Sequence, residues 1–314
     1  MDDRKALDGL AVGIMVLLCP IWGLQQVVLK IAAPDISPLM QIALRSGLSA
    51  VLLVLFMRWR GEPVSLLDAD WRPGMMVGGL FAVEFLLVGE GMRFTSASHM
   101  VVLLYTAPIF VALALHWKLP SERLGALQWA GIALAFAGIA VAFLGRPHPT
   151  SDAGMTRILF GDLLGLLSGA AWGATTVAVR LSGLAKAPAA KTLLYQLVWG
   201  FVLLMLAAAA LGQLSIHVTP LAVGSMAFHA IIVSFASYLL WFWLLRKYLA
   251  SRLGVFSFLT PLFGVLFGVW LLDERLEPGF IAGTALVFSG VALVTGHGWL
   301  KRLMATNEAR RNAP

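Results

Sequence analysis

The chain reads as a succession of long apolar runs separated by short, polar, proline-marked breaks. A helix needs roughly 20 mostly apolar residues to cross about 30 Å of hydrocarbon. Ten runs qualify, near 7–31, 38–57, 74–92, 97–116, 125–144, 160–182, 190–211, 221–245, 253–272 and 278–297. Pro34 with Pro38, Pro120, Pro147 with Pro149, Pro220 and Pro278 fall at the breaks, where a residue without an N–H ends a helix most readily. The strands of a membrane barrel would instead alternate apolar and polar positions in short segments. The pattern predicts an all-α membrane protein with ten transmembrane helices.

Composition agrees with this pattern. The 314 residues are 60% hydrophobic and 12% charged. Soluble domains run nearer 25% charged, and a water-soluble fold could not bury this much apolar surface. In a soluble protein a net charge of +7 would suggest nucleic acid. Here the basic residues sit in the breaks, so the expected partner is the lipid bilayer and no nucleic acid. Of 23 lysines and arginines, Lys30, Arg45 and Arg180 lie within or at the ends of runs. Arg93, Arg146, Arg157 and Arg275 share one side, which leaves 23 − 3 − 4 = 16 on the other. The basic excess marks the cytoplasmic side, so both termini are expected there. Basic residues of the tail, such as Lys301 and Arg302, suit anionic lipid heads. The N-terminus runs directly into a span-length stretch without a small-residue cleavage site, unlike a signal peptide. Cys19, the single cysteine, cannot form an internal disulfide and reads as a small packing residue.

The chain also repeats itself. Trp22-Gly23, Gln25, Gln26, Val27 and Lys30 in the first run recur, 150 residues on, as Trp172-Gly173, Thr175, Thr176, Val177 and Arg180. Glu122-Arg123-Leu124 recurs as Glu274-Arg275-Leu276, and Pro108 and Trp117 as Pro261 and Trp270. Gly131, Phe136 and Gly138 return as Gly283, Phe288 and Gly290. Each copy holds five spans, and an odd number makes the second copy enter the membrane from the opposite side. The expected architecture is therefore two inverted five-helix repeats, over 1–146 and 160–298, with an external linker at 147–159 and a cytoplasmic basic tail at 299–314. Inverted repeats are a design of secondary transporters, with a substrate site near the midplane.

These motifs resemble the EamA branch of the drug/metabolite transporter superfamily: a Trp-Gly early in each half, a proline followed by Leu-x-x-Glu-Arg-Leu, and a Gly-x-Ala-Leu-x-Phe-x-Gly helix closing each half. The likeness covers nearly the whole chain and extends to bacterial aromatic amino-acid exporters within that branch. It implies a multi-pass basket in the bacterial inner membrane, with a central cavity lined by spans 1, 3, 4, 6, 8 and 9.

Polar groups inside a membrane are costly, and each is a functional candidate. Trp22, Gln26 and Lys30 fall on one helical face, with Gln25 beside it, and Trp172, Thr176 and Arg180 repeat that face. Rings there can stack on a substrate while amides and hydroxyls bond to it; alternatively they join helices. Glu84 falls mid-span, where a carboxylate needs a partner. It can bind a substrate ammonium, carry a coupling proton or pair with Arg45. His99 opens the fourth span close to its outer mouth. Tyr105 and Phe258 stand three residues before Pro108 and Pro261, whose rings free backbone carbonyls. Ser234, Ser237, Tyr238 and Trp241 form a polar and aromatic stripe in the eighth span. Gly131, Ala135 and Gly138, with Gly283 and Gly290, suit close helix packing.

No H-E-x-x-H, G-x-S-x-G or Walker A sequence occurs, and the six histidines are scattered. Neither an enzyme, a metal site nor a cofactor is expected. A channel and a polytopic enzyme or receptor are the rival classes, and the repeat favours a carrier. The aromatic residues suit aromatic and large apolar amino acids, and also other amphipathic metabolites or drugs. Protons are the candidate coupling ion. The internal duplication supplies both halves in one chain, so a monomer is expected to suffice.

Overall fold

The structure, a computed structural model, describes residues 8–118, 123–144, 152–248 and 259–311. The helices are α1 (Gly9–Ile31), α2 (Pro38–Trp59), α3 (Trp71–Gly91), α4 (Ala97–Leu104), α5 (Ala107–Lys118), α6 (Ala126–Leu144), α7 (Asp152–Arg180) and α8 (Ala189–Ala210). They continue with α9 (Pro220–Ala227), a π-helical segment (Phe228–Ser237), α10 (Tyr238–Lys247), α11 (Leu259–Leu272) and α12 (Pro278–Arg311). Among the described residues no strand occurs, and an isolated bridge joins Ile36 to Ile216.

Among the described residues, seven helical stretches are long and apolar enough to cross a membrane: Gly9–Ile31, Pro38–Trp59, Trp71–Gly91, Ala97–Lys118, Gly154–Arg180, Ala189–Ala210 and Pro220–Trp241. Three shorter apolar helices, Ala126–Ala142, Leu259–Leu272 and Pro278–Val294, occupy the remaining runs. Large apolar side chains such as Leu17, Leu55, Leu206 and Trp270 point outward, as lipid-facing residues do. A groove between α2 and the π segment, lined by apolar side chains such as Leu48, Val51 and Ile231, belongs to this outer surface.

Local chemistry explains the helix limits. Ser37 and Thr219 each accept from a backbone amide of the following first turn, and Pro38 and Pro220 occupy positions where no N–H is needed. Pro108 clashes with the carbonyl four residues earlier, and the fourth span breaks there, between Leu104 and Ala107. Two boundaries differ from the sequence expectation. Helix α7 begins at Asp152 rather than near 160, and α12 continues to Arg311, through most of the segment expected as a tail.

α1 packs on α11 and α4, α3 on α7 and α8, and α2 on α8 and the π segment, while α6 and α12 pair with each other at one side. Glycines set the closest crossings. A Cβ on Gly131 would lie 2.7 Å from the Gly290 carbonyl, and one on Gly138 would lie 2.6 Å from that of Gly283. The Trp-Gly pairs obey the same rule. A Cβ on Gly23 would meet the Gly264 amide nitrogen at 2.7 Å and the Thr260 carbonyl at 2.9 Å. A Cβ on Gly173 would meet the Ala107 carbonyl at 3.1 Å and the Val111 nitrogen at 3.4 Å. Ala107 and Val111 stand 153 residues before Thr260 and Gly264, so each glycine presses its helix against the corresponding proline-bearing helix of the other half.

Candidate functional site

The side chains at the middle of the bundle come from both halves. On α1, Trp22 is buried and its indole Nε1 donates to Ser237 Oγ at 2.8 Å. Its ring meets Trp241 edge to face, with centroids 5.5 Å apart. Trp172 of α7 meets Tyr105 in the same manner at 5.2 Å. These perpendicular arrangements set the positive edge of one ring against the face of its neighbour, which fixes both rings in place. The π segment presents Ser234 and Ser237, both buried, while Tyr238 and Trp241 follow on α10 and are half-buried. Such π segments concentrate at functional sites.

Charged and amide groups adjoin these rings. Arg45 extends from α2 and is only 1% exposed. Its Nη1 donates to Gln25 Oε1 at 3.0 Å, and its guanidinium lies 4.7 Å from the Phe85 ring centroid. Glu84, 6% exposed, interacts with Arg45 electrostatically, yet no ion pair or hydrogen bond joins the two among the described residues. Gln26 is buried beside Gln25, and its Oε1 has no hydrogen-bond partner. The His229 ring spans from the Ser225 carbonyl at 2.8 Å to the Gln25 carbonyl at 3.1 Å.

Thr176 departs from the rest, because it is exposed and its hydroxyl donates to the Trp172 carbonyl of its own helix at 3.1 Å. At 100° per residue it lies on the side of α7 opposite Phe160, Leu163 and Leu167, the outward face. Its side chain therefore points away from the outward face of α7. Thr175, in contrast, is buried and bonds to the Ala171 carbonyl.

The opposite end is closed by hydrogen bonds. Glu274 reaches from the loop after α11 to the first turn of α4, accepting from the amides of Ala97 at 2.7 Å and Ser98 at 3.0 Å and from Ser98 Oγ at 2.6 Å. A carboxylate at a helix N-terminus satisfies orphan N–H groups and faces the positive end of the helix dipole. Lys30 donates to the Met92 carbonyl at 2.7 Å and also to that of Thr95. His99 belongs here: its ring stacks on Phe280 at 3.9 Å, and its Nδ1 lies 3.1 Å from Asp162 Oδ2. Thr95 bonds to the other oxygen of Asp162. A vestibule lined by Lys30, Arg93, His99, Glu274 and Glu277 opens outward from this seal.

The structure thus gathers Trp22, Gln25, Gln26, Glu84, Tyr105, Trp172, Ser237, Tyr238 and Trp241 at the centre. It places Thr176 on the face of α7 away from the outward residues and His99 in the seal, while Phe258 lies outside the described residues. Arg45 and His229 were not among the expected site residues. The sequence offers Arg45 as a counter-charge for Glu84, and only the fold shows that it spans from α2 to Gln25.

The EamA-like transporter family matches residues 9–144 and again 159–296. The chain belongs to this family. It is therefore a multi-pass membrane transporter and not an enzyme. It is 26% identical over 277 residues to "Uncharacterized transporter YoaV" of Bacillus subtilis (strain 168), covering 88% of this chain and 93% of that protein. It is 28% identical over 300 residues to "Probable amino-acid metabolite efflux pump" of Escherichia coli (strain K12), covering 92% and 96%. A solved crystal structure superposes with a TM-score of 0.64 at 20% identity, over 91% of this chain and 97% of its own, a likeness of fold alone.

Proposed function

We propose that this transporter exports small amphipathic metabolites, aromatic and large apolar amino acids foremost, by alternating access through a cavity between two inverted five-helix repeats. The observation that carries the reading is the grouping of aromatic rings from both halves, Trp22 with Trp241 and Tyr105 with Trp172, together with the buried, incompletely bonded Arg45 and Gln26. Rings supply dispersion and stacking to an apolar side chain, and Glu84 supplies a carboxylate for a substrate ammonium or a coupling proton. The reciprocal packing of Gly23 and Gly173 on corresponding helices supports the inverted repeat, and with it ten crossings. The name carried by the Escherichia coli relative supports amino-acid metabolites as cargo.

In this reading both termini are cytoplasmic, the chain sits in the bacterial inner membrane, and a monomer suffices. The Thr176 end then faces the cytoplasm and the Glu274 end faces outward. The test is uptake by proteoliposomes of aromatic and aliphatic amino acids, nucleosides and cationic drugs, with and without a proton gradient. Saturable uptake of phenylalanine and tryptophan, with mutual competition, is the expected result. Uptake confined to nucleosides or cationic drugs would overturn the substrate assignment, and non-saturable flux would overturn the carrier mechanism.

A further inference from the structure

Arg45 presents an unresolved electrostatic problem. A full positive charge at mid-span costs about 2.5–3.5 kcal/mol on insertion scales, and buried cations in membrane helices are normally paired. Arg45 is the eighth of the 22 residues of α2, and at 1% exposed its guanidinium does not reach water. Its contacts account for one edge and one face of the guanidinium. Nη1 is held by the Gln25 amide oxygen, a neutral acceptor, and the plane lies against Phe85. Nη2 is buried with no hydrogen-bond partner among the described residues. Glu84, the carboxylate whose charge Arg45 feels, is not bonded to it among the described residues.

A structural ion pair would close that gap, because two buried opposite charges gain most by direct contact with every donor satisfied. The fold instead holds the charges apart. Gln25 and Phe85 fix the guanidinium, and Gln26 adds a second unsatisfied atom, an amide oxygen able to accept from an ammonium. A buried cation with a spare N–H donor, a separate carboxylate and a spare acceptor match the two ends of a zwitterion.

We infer that Arg45 is the carboxylate-binding residue of the substrate site, acting with Glu84 and Gln26, which take the ammonium, so that the site selects α-amino acids through both charged ends. The inference rests on the proposed transport of amino acids and extends it to the recognition of the charged ends. It assigns the aromatic walls to the side chain and the polar centre to the backbone of the substrate. A guanidinium fork suits a carboxylate because it can donate two parallel N–H bonds, which Lys cannot reproduce.

The test is ligand-induced thermal stabilisation of the purified full chain in detergent. The panel is phenylalanine, leucine and tryptophan, each with its carboxamide and its decarboxylated amine. For the wild type, stabilisation by each amino acid is expected to exceed that by its amide and its amine, by at least tenfold in apparent Kd. Arg45→Gln is expected to abolish this preference by weakening the amino acid at least tenfold while leaving the amide and amine unchanged. Arg45→Lys is expected to keep a reduced preference, and it carries the test if Arg45→Gln does not fold.

Equal wild-type response to amino acid, amide and amine would overturn the inference, as would a preference that survives in both variants. A loss that is equal for all ligands, with a lower melting temperature, would assign Arg45 a structural role only. If leucine binds with carboxylate dependence and the aromatic ligands do not bind, the aromatic assignment fails and the Arg45 inference stands. If no zwitterion binds the wild type, both fail.

Discussion

The two polar regions of this bundle differ in how their charged groups are held. At the Glu274 end, the carboxylate has three donors, Lys30 has two carbonyls, and Asp162 has Thr95 and His99, while Glu277 Oε2 and Gln213 Oε1 have no hydrogen-bond partner among the described residues. At the centre, Arg45 Nη2 and Gln26 Oε1 have no partner, and Glu84 stands apart from the cation nearest to it in effect. Buried polar atoms are nearly always satisfied, because leaving one unpaired costs on the order of 1–3 kcal/mol. The charge-assisted bonds of Glu274 and Lys30 are consistent with a closure that holds one conformation. The central guanidinium, held by a neutral amide rather than a carboxylate, is consistent with a site that a ligand completes.

The largest effect expected from breaking this contrast comes from the closure. Glu274→Ala removes charge-assisted bonds worth about 1.5–3 kcal/mol each. The opening of that end is expected to become at least tenfold more frequent. The readout is labelling of Val101→Cys, a buried position against Gly264, by a membrane-impermeant maleimide in a Cys19→Ser background. Unchanged labelling would remove Glu274 from the closure.

Trp172→Ala sharpens the other side of the comparison. Loss of an edge-to-face ring removes about 0.5–1.5 kcal/mol beyond area burial, so apparent affinity for phenylalanine is expected to fall about tenfold. The melting temperature is expected to change little, since Trp172 is only partly buried. Wild-type affinity in this variant would contradict an aromatic wall at Trp172.

A third, smaller effect separates both regions from an ordinary surface pair. Lys191 contacts Asp68 at 2.8 Å and Asp70 at 2.7 Å at the opposite end of the bundle from Glu274. The hydrogen bond from Lys191 holds the Asp68 carboxyl below its ordinary value of 3.8. The contribution is therefore complete above that value and fades as pH falls through the lowered one. Partly exposed pairs near the surface are worth about 1 kcal/mol or less. Lys191→Ala is accordingly expected to lower the melting temperature slightly at pH 7, with a smaller difference from wild type at pH 3.

Much of this could be read from residue order. Apolar runs and prolines locate the helices because lipid leaves a spanning backbone few alternatives to internal hydrogen bonding. The Trp-Gly pairs were legible because a ring and a missing Cβ are each conspicuous in an apolar run. Other features depend on contacts distant in sequence. Nothing between Phe228 and Ser237 marks a π segment, and its winding alters which of Ser234, Ser237 and Tyr238 align. Glu274 looked like a loop residue of a family motif, and its role appears only when its loop meets Ala97 and Ser98, 176 and more positions away. His99 was placed near the outer mouth, but Asp162 and Phe280, its partners there, come from the other half of the chain. Arg45 reads as a mid-helix basic residue until α1 and α3 supply Gln25 and Phe85.

Glu84 tests the central claim most directly, because Glu84→Gln keeps the shape and removes the charge. The measurement is counterflow of labelled phenylalanine into proteoliposomes, alongside the melting temperature of the same preparations. If the incompletely bonded centre is the substrate site, Glu84→Gln lowers counterflow at least tenfold while the melting temperature stays within a few degrees of wild type. Unchanged counterflow with an unchanged melting temperature would contradict the account and leave the centre without a role in transport.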